Sequence, residues 1–362
     1  MKYKIVPNLK ILIVFKNPKT DCATACHQGL GVTSSYLTQA LREFGINSDC
    51  FPIANGEYLW NKLLKEWSVY THIIMCAPFI DAPFLGRLFK NFPKHKFVLV
   101  YHSNLGFLCH DRFAVSSLKP YFTLEDSLNN FNVATNCEIL SNSIETGMLH
   151  KFTYLPNMLP ITHKLDRTRP IWNHNGPLNI GLFGAARVLK NWLTAGVGAM
   201  IIANKLNTPI ILHVNSSRDE GAAATRENLY TLLSMNNKIT LKEVTWLDHD
   251  DFVRYLYSID LLLQPSFSET FNNVTAEGCY AGIPSVVTNA ITWVPDYWKA
   301  IADNALSVAE IGINLLNNTS SGIDGYNSLK VYVYKAIKVW LEYLGVKNEP
   351  SIYQRISEFW GL

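Results

Sequence analysis

Short apolar runs alternate with helically spaced segments along most of this chain, and that alternation most narrows what it can become. Strand-like runs at 11–15, 48–53, 72–77, 97–102 and 138–141 are interleaved with helical patterns at 32–44, 58–67 and 84–92. Leu155-Pro-Asn-Met-Leu-Pro160 and the polar residues up to Pro177 then read as a connector. Beyond it the pattern starts again. Strands are expected at 178–183, 209–214, 239–244 and 259–264, helices at 188–206, 220–235 and 252–257, and closing helical patterns at 326–344 and 352–360. Strands each followed by a crossover helix build parallel sheets, so the sequence predicts an α/β fold in two similar halves.

With 362 residues, 48% of them apolar, the chain can bury a large core, and its length favours two domains over one. No apolar run approaches the roughly 20 residues of a membrane span. The start, Met1-Lys-Tyr-Lys-Ile-Val-Pro7, is basic but lacks the apolar stretch of a secretion signal. Seven cysteines form no even framework and several fall inside expected strands or helices, which suits reduced thiols. A cytoplasmic protein, or one peripheral to a membrane, is expected. Cys22, Cys26 and His27 lie close in sequence, but two thiols without a second pair are a weak zinc motif. Residues 1–160 hold 15 Lys and Arg against 11 Asp and Glu, a net +4, whereas 161–362 hold 17 against 18. This biases the first half mildly toward an anionic partner, well short of a nucleic-acid stripe.

The densest chemistry lies in Ser268-Glu-Thr-Phe-Asn-Asn-Val-Thr-Ala-Glu277, which follows the strand at 259–264 and a Pro265-Ser266 break. A helix starting near Phe271 would aim unpaired N–H groups and a positive dipole end at an anion. Glu269 would precede that helix and Glu277 would sit about two turns into it. Phosphates could rest on the helix end while carboxylates hold hydroxyl groups on either side, a geometry that suits a sugar nucleotide. The competing reading is a plain cap, with Ser268 or Thr270 closing the helix and the carboxylates complementing its dipole. Gly278-Cys-Tyr-Ala-Gly-Ile-Pro-Ser-Val-Val-Thr288 then reads as helix end, glycine turn and short buried strand.

A second group follows the strand at 178–183: Gly184-Ala-Ala-Arg-Val-Leu-Lys190. A glycine at a strand's carboxyl end lets the backbone turn tightly where open α/β sheets bind ligands. Arg187 and Lys190, one turn apart at the next helix start, could neutralise a diphosphate leaving group. In the first half, Gly29-Leu-Gly31 is expected to link the first strand to the first helix and allow close approach of a ligand. His102 is expected to emerge at a strand's carboxyl edge, where it could hydrogen-bond a sugar or simply be a satisfied structural histidine. Asp248-His-Asp-Asp251 invites a metal reading, but its place before a helical pattern favours capping, and no metal requirement is expected.

The segment 265–288 resembles the signature of the retaining GT-B glycosyltransferases, family 4 in particular, in which a Glu-x7-Glu pair precedes an Ala-Gly-Ile-Pro-Val-Val-like strand. The resemblance implies two Rossmann-like domains facing a cleft: an acceptor-side domain at 1–160, a nucleotide-sugar domain at 161–345, and a crossover helix at 346–362 that packs on the first. It implies that Glu269 contacts the transferred sugar and Glu277 the ribose hydroxyls. Thr270 and the backbone amides of Phe271, Asn272 and Asn273 would face sugar and phosphates, with Arg187 and Lys190 on the diphosphate. By position, Gly184 and Gly31 would approach the donor, and the base would lie near Val244-Thr245-Trp246. The implied activity is hexosyl or other glycosyl transfer from a UDP, GDP or ADP sugar, without a cofactor or metal. No placed nucleophile is visible, so front-face displacement is expected over a covalent intermediate. A glycan or lipid-linked saccharide is the first expectation for the acceptor. A modified base in DNA is the second, and a nucleotide-sugar-binding protein without transfer activity the third. A phosphorylase on the same scaffold is also conceivable, whereas a dehydrogenase is disfavoured because no Gly-x-Gly-x-x-Gly follows the first strand.

Overall fold

The computed structural model describes residues 9–17, 28–160, 172, 176–215 and 221–346. Cys22, Cys26, His27 and the helix expected at 352–360 lie outside them, as does the crossover segment apart from Val346. The chain divides into two compact units, Met1–Ile161 with Val333–Leu362, and Thr162–Tyr332.

In the first unit, strand β1 (Lys10–Lys16) carries four consecutive buried apolar residues, Ile11 to Val14. Such a run belongs to a strand covered on both faces. The chain continues through α1 (Gln28–Glu43), β2 (Asn47–Ile53), α2 (Gly56–Lys65), β3 (His72–Cys76), α3 (Ala82–Asn91) and β4 (Lys96–Tyr101). It then forms α4 (Leu105–Leu108), α5 (Arg112–Ser127), β5 (Phe131–Thr135), α6 (Glu138–Met148) and β6 (Thr153–Tyr154). The six strands pair in parallel in the order β2-β1-β3-β4-β5-β6. Leu12 and Val14 join one core with Ile73, Met75, Phe97 and Leu99, on which Leu59, Leu85, Phe89 and Tyr121 of the helices pack. Phe89 sits between Phe97 and Phe131, with ring centroids 4.3 and 4.6 Å away. Asn55, Asp81, Asn104 and Asp111 cap their helices by accepting backbone N–H groups, as short polar side chains do.

The strand expected at 138–141 is instead the start of helix α6. Glu138 and Ile139 are exposed while Leu140 is buried, a one-sided pattern that a two-sided parallel strand cannot have. The strand of this region is β5, disguised by Asn132 and Thr135. Thr135 is wholly buried, and its hydroxyl donates to the Tyr101 carbonyl at 3.3 Å.

The second unit runs β7 (Leu178–Leu182), α7 (Trp192–Lys205), β8 (Ile210–Val214), α8 (Ala223–Leu233), β9 (Ile239–Glu243), α9 (His249–Leu256) and β10 (Leu261–Leu263). It continues with α10 (Asn273–Tyr280), β11 (Ser285–Val286), α11 (Ala305–Asn317) and α12 (Ser321–Tyr343). Its five parallel strands are ordered β11-β10-β7-β8-β9. The chain winds outward from β7 to β9 and returns to place β10 on the other side of β7. The direction in which strands are added therefore reverses across the β7–β10 pair, although the two strands run parallel, and the loops leaving their carboxyl ends flank a switch point, where open α/β sheets bind ligands. The unit boundary falls inside α12. Residues past it join the first unit, where Trp340 Nε1 donates to the Pro156 carbonyl at 2.8 Å.

Candidate active site

The two loops at the switch point of the second unit are stitched together. Gln264, 2% exposed at the end of β10, donates through Nε2 to the Phe183 carbonyl at the end of β7, 3.1 Å away. Phe267 N–H donates to the Leu189 carbonyl at 2.9 Å, and Asn191 Nδ2 to the Pro265 carbonyl at 3.0 Å. The remaining link is ionic: Lys190 Nζ lies 2.5 Å from Glu269 Oε1. Both side chains are largely enclosed, so this pair is less screened by water than a surface one.

The stretch 188–206 is not one helix from its start. Val188–Lys190 form a 3-10 turn, Asn191 is left-handed (φ 57°, ψ 42°), and α7 begins at Trp192. Asparagine is one of the few non-glycine residues that visit this conformation, and here its amide is held by the distant Pro265 and Ala302 carbonyls. Arg187 and Lys190 thus belong to a turn ahead of the helix rather than to its first turn. Gly184 has φ 107°, a value that disfavours any side chain, and a Cβ placed there would lie 3.6 Å from Lys190 Cε. The glycine therefore sits directly under the lysine.

Helix α10 starts at Asn273, and its cap is Asn272 rather than Ser268 or Thr270. Asn272 is buried and left-handed (φ 67°), and its Oδ1 accepts Thr275 N–H at 2.9 Å. Its Nδ2 donates to Gln264 Oε1 at 3.2 Å and to Glu269 Oε1 at 3.1 Å. Ser266 Oγ adds a third donor to Glu269 Oε1 at 2.8 Å. The Glu269 carboxylate is therefore aimed by one cation and two neutral donors. Thr270 is half-buried in the same loop. Phe271 is buried, its ring stacked on Tyr332 (4.9 Å between centroids) and tilted against Trp293, whose Nε1 donates to the Phe271 carbonyl at 2.9 Å. This cluster anchors the peptide that enters the helix.

Glu277, 5% exposed, is in the second turn of α10. Its Oε1 accepts from His249 Nε2 at 3.0 Å. That bond, with the negative charge of Glu277, raises the His249 pKa above its ordinary value against the opposing effect of burial. His249 is the first residue of α9, with Asp248 capping the helix through Asp251 N–H at 2.9 Å. In the sequence this histidine stands inside Asp248–Asp251, read as a helix start rather than a metal motif; the signal that could have found it is a titratable residue at the start of the helix after β9, at the same sheet edge as Glu277. Thr245 is exposed on that loop. Among the described residues no group of His, Cys, Asp and Glu is arranged to hold a metal ion.

His102 and Gly31 belong to the first unit. His102 follows β4, and its Nδ1 accepts from Asn136 Nδ2 at 3.0 Å, which puts the ring proton on Nε2. That nitrogen is enclosed without a hydrogen-bond partner, and burial lowers the pKa to about 4. The ring is a neutral donor at physiological pH and lines a small pocket with Thr33, Cys76, Asn157 and Met158. Gly31 lies within α1, not in a loop before it, because the helix starts at Gln28 rather than Val32. A Cβ on Gly31 would come 3.2 Å from the Phe15 ring, so helix-to-strand packing is itself a reason for glycine there.

No protein-family model and no curated protein sequence matches the chain. Its structure is similar to several solved ones. Sucrose-phosphate synthase from Thermosynechococcus elongatus superposes with a TM-score of 0.64 at 14% identity, covering 93% of this chain and 99% of that one. HepE of Anabaena, solved in complex with UDP-glucose, gives 0.59 at 14% identity, covering 96% and 98%. OtsA in its apo form gives 0.62 at 10% identity, covering 92% and 99%. At such identities a likeness speaks for architecture and leaves chemistry to the residues. Two Rossmann-like units of parallel sheet, matched over nearly their full length to these enzymes, give this chain the α/β fold of the GT-B glycosyltransferases.

Proposed function

We propose that the protein is a retaining, metal-independent glycosyltransferase that moves a sugar from a nucleotide-diphosphate sugar to an acceptor hydroxyl. The observation that carries this reading is the joining of Lys190, Glu269 and the Asn272-capped end of α10 at the switch point of the second unit. The start of α10 offers N–H groups and a positive dipole end to a diphosphate. Lys190 has three N–H donors and spends one on Glu269, so it can turn to a phosphate oxygen while Ser266 and Asn272 keep the carboxylate in place. Arg187 at the same turn adds a second positive charge.

As the sugar–phosphate bond breaks, negative charge grows on the departing diphosphate, and fixed cations and dipoles lower that barrier most when they need not reorganise. Glu269 is assigned to hydroxyls of the transferred sugar and Glu277 to the ribose. Neither acts as nucleophile: attack by the acceptor on the face the leaving group departs from retains the anomeric configuration, and the diphosphate takes the acceptor proton. His102, neutral with its proton on Nε2, is suited to donate to a sugar hydroxyl. The complex of HepE with UDP-glucose makes UDP sugars the first donors to try. A glycan or a lipid-linked saccharide is the proposed acceptor.

The test is a screen of UDP, GDP and ADP sugars for slow hydrolysis without acceptor, with and without a chelator. Nucleotide release from one donor class, unchanged by the chelator, is expected. Absence of both binding and turnover across the panel would overturn the reading.

A further inference from the structure

The geometry points to His249 as a positioning residue for Glu277, one that sets the affinity of the site for the ribose of the donor nucleotide. The inference rests on the donor-site reading above and adds a residue that the Glu-x7-Glu pattern does not contain.

Three observations carry it. First, Glu277 is a nearly buried carboxylate, a costly group to keep charged without a donor. His249 Nε2, 3.0 Å from Oε1, supplies one from a different helix. Second, the imidazole is held from both ends. Its backbone is fixed by the Asp248 cap, and Nδ1 faces the Asp250 carboxylate 3.7 Å away. An acidic neighbour on the far ring nitrogen favours a proton there as well, which makes the Nε2–H a stronger donor. Third, the placement is specific: the side chain at the first position of α9 reaches across to the second turn of α10, whereas the Asp250 carboxylate is 89% exposed and Asp251 pairs with Arg254.

The consequence is preorganisation. A free glutamate must lose side-chain freedom when it takes a diol, whereas one already held by an imidazole has lost it before the nucleotide arrives. His249 thus acts through Glu277 and need not touch the nucleotide.

The experiment measures dissociation constants by calorimetry for whichever of UDP, GDP and ADP binds best, and for its 2′-deoxy and 3′-deoxy forms. The protein is compared as the unsubstituted chain, His249→Ala and His249→Gln. Alanine should weaken ribonucleotide binding about tenfold, the size of a lost charge-assisted bond in a partly wet site. Glutamine, which keeps an N–H near the position of Nε2, should cost no more than about threefold. The decisive reading is the coupling: on at least one deoxynucleotide the alanine penalty should shrink below about threefold, because the hydroxyl that Glu277 takes is gone.

An equal penalty on all three nucleotides would mean that His249 merely supports the fold, and would overturn the proposal. So would unchanged affinity in His249→Ala. Should that variant fail to fold, His249→Asn, whose amide is too short to span the contact, takes its place. If none of the three nucleotides binds the unsubstituted chain, the donor-site reading fails and this inference falls with it. Binding that ignores His249 sinks the inference alone.

Discussion

Replacing Asn272 with alanine should destabilise the second unit by about 3 kcal/mol, and replacing it with glycine by clearly less. Alanine removes the capping bond to Thr275 N–H, a loss of about 1 kcal/mol. It places a Cβ without a compensating amide at φ 67°, which costs on the order of 1 kcal/mol. It also takes the donor from Gln264 Oε1, in a side chain only 2% exposed, for a further 1–3 kcal/mol or so. These terms share one site and will not add fully, which brings the sum back to about 3 kcal/mol. Glycine removes the backbone strain and caps nearly as well as asparagine, so it should recover at least about 1 kcal/mol. Urea unfolding followed by tryptophan fluorescence reads the difference, since Trp192, Trp293 and Trp298 all belong to this unit and each midpoint can be compared at matched slope. If alanine proves as stable as glycine, the left-handed cap is not what asparagine supplies here. The account of how Glu269 is aimed would then need another hub.

Other outcomes are equally open to measurement. Glu277→Ala should weaken nucleotide binding about tenfold or more, and unchanged affinity would remove its assignment to the ribose. Lys190→Met leaves Glu269 without its cation and the diphosphate without a partner, so donor hydrolysis should fall by about a hundredfold, read as initial rates at saturating donor. Gly184→Ala forces a side chain into φ 107° and should cost about 1–3 kcal/mol by the same urea assay, most of it absent from Ala185→Gly. Acid should loosen both units. Burial lowers His72 in the first unit and His213 in the second to about 4. The unfolded chain therefore binds more protons between about pH 6.5 and pH 4, and stability falls as pH drops through that window. The expected loss is about 2–3 kcal/mol per histidine by pH 4. A melting temperature whose acid slope is unchanged in His213→Gln would refute the assignment in the second unit.

How much of this was legible follows from what each residue type can reveal. Continuous apolar runs such as Ile11 to Val14 announce parallel strands, because burial on both faces leaves no polar position. Where burial admits hydrogen-bonded polar side chains the signal fails, as in β5, whose Asn132 and Thr135 hide a strand and let 138–141 stand in for it. Gly184, Arg187, Lys190, Glu269 and Glu277 could be singled out as candidates because they cluster in two short motifs that each follow an expected strand. The bonds among them could not. That Lys190 reaches Glu269 across 79 positions depends on β7 and β10 being neighbours, which the order of strands along the chain does not disclose. Asn272 and His249 mark the limit more sharply. The backbone amide of Asn272 and the Asp-rich helix start around His249 could be read, but their side-chain bonds could not: Asn272 turns back on Glu269 within one loop, and His249 meets Glu277 because α9 arrives beside α10. The composition of this site was therefore written locally, while its electrostatics were decided by topology. A variant that preserves both glutamates but disturbs Asn272 or His249 should accordingly keep the signature and lose the geometry that makes it useful.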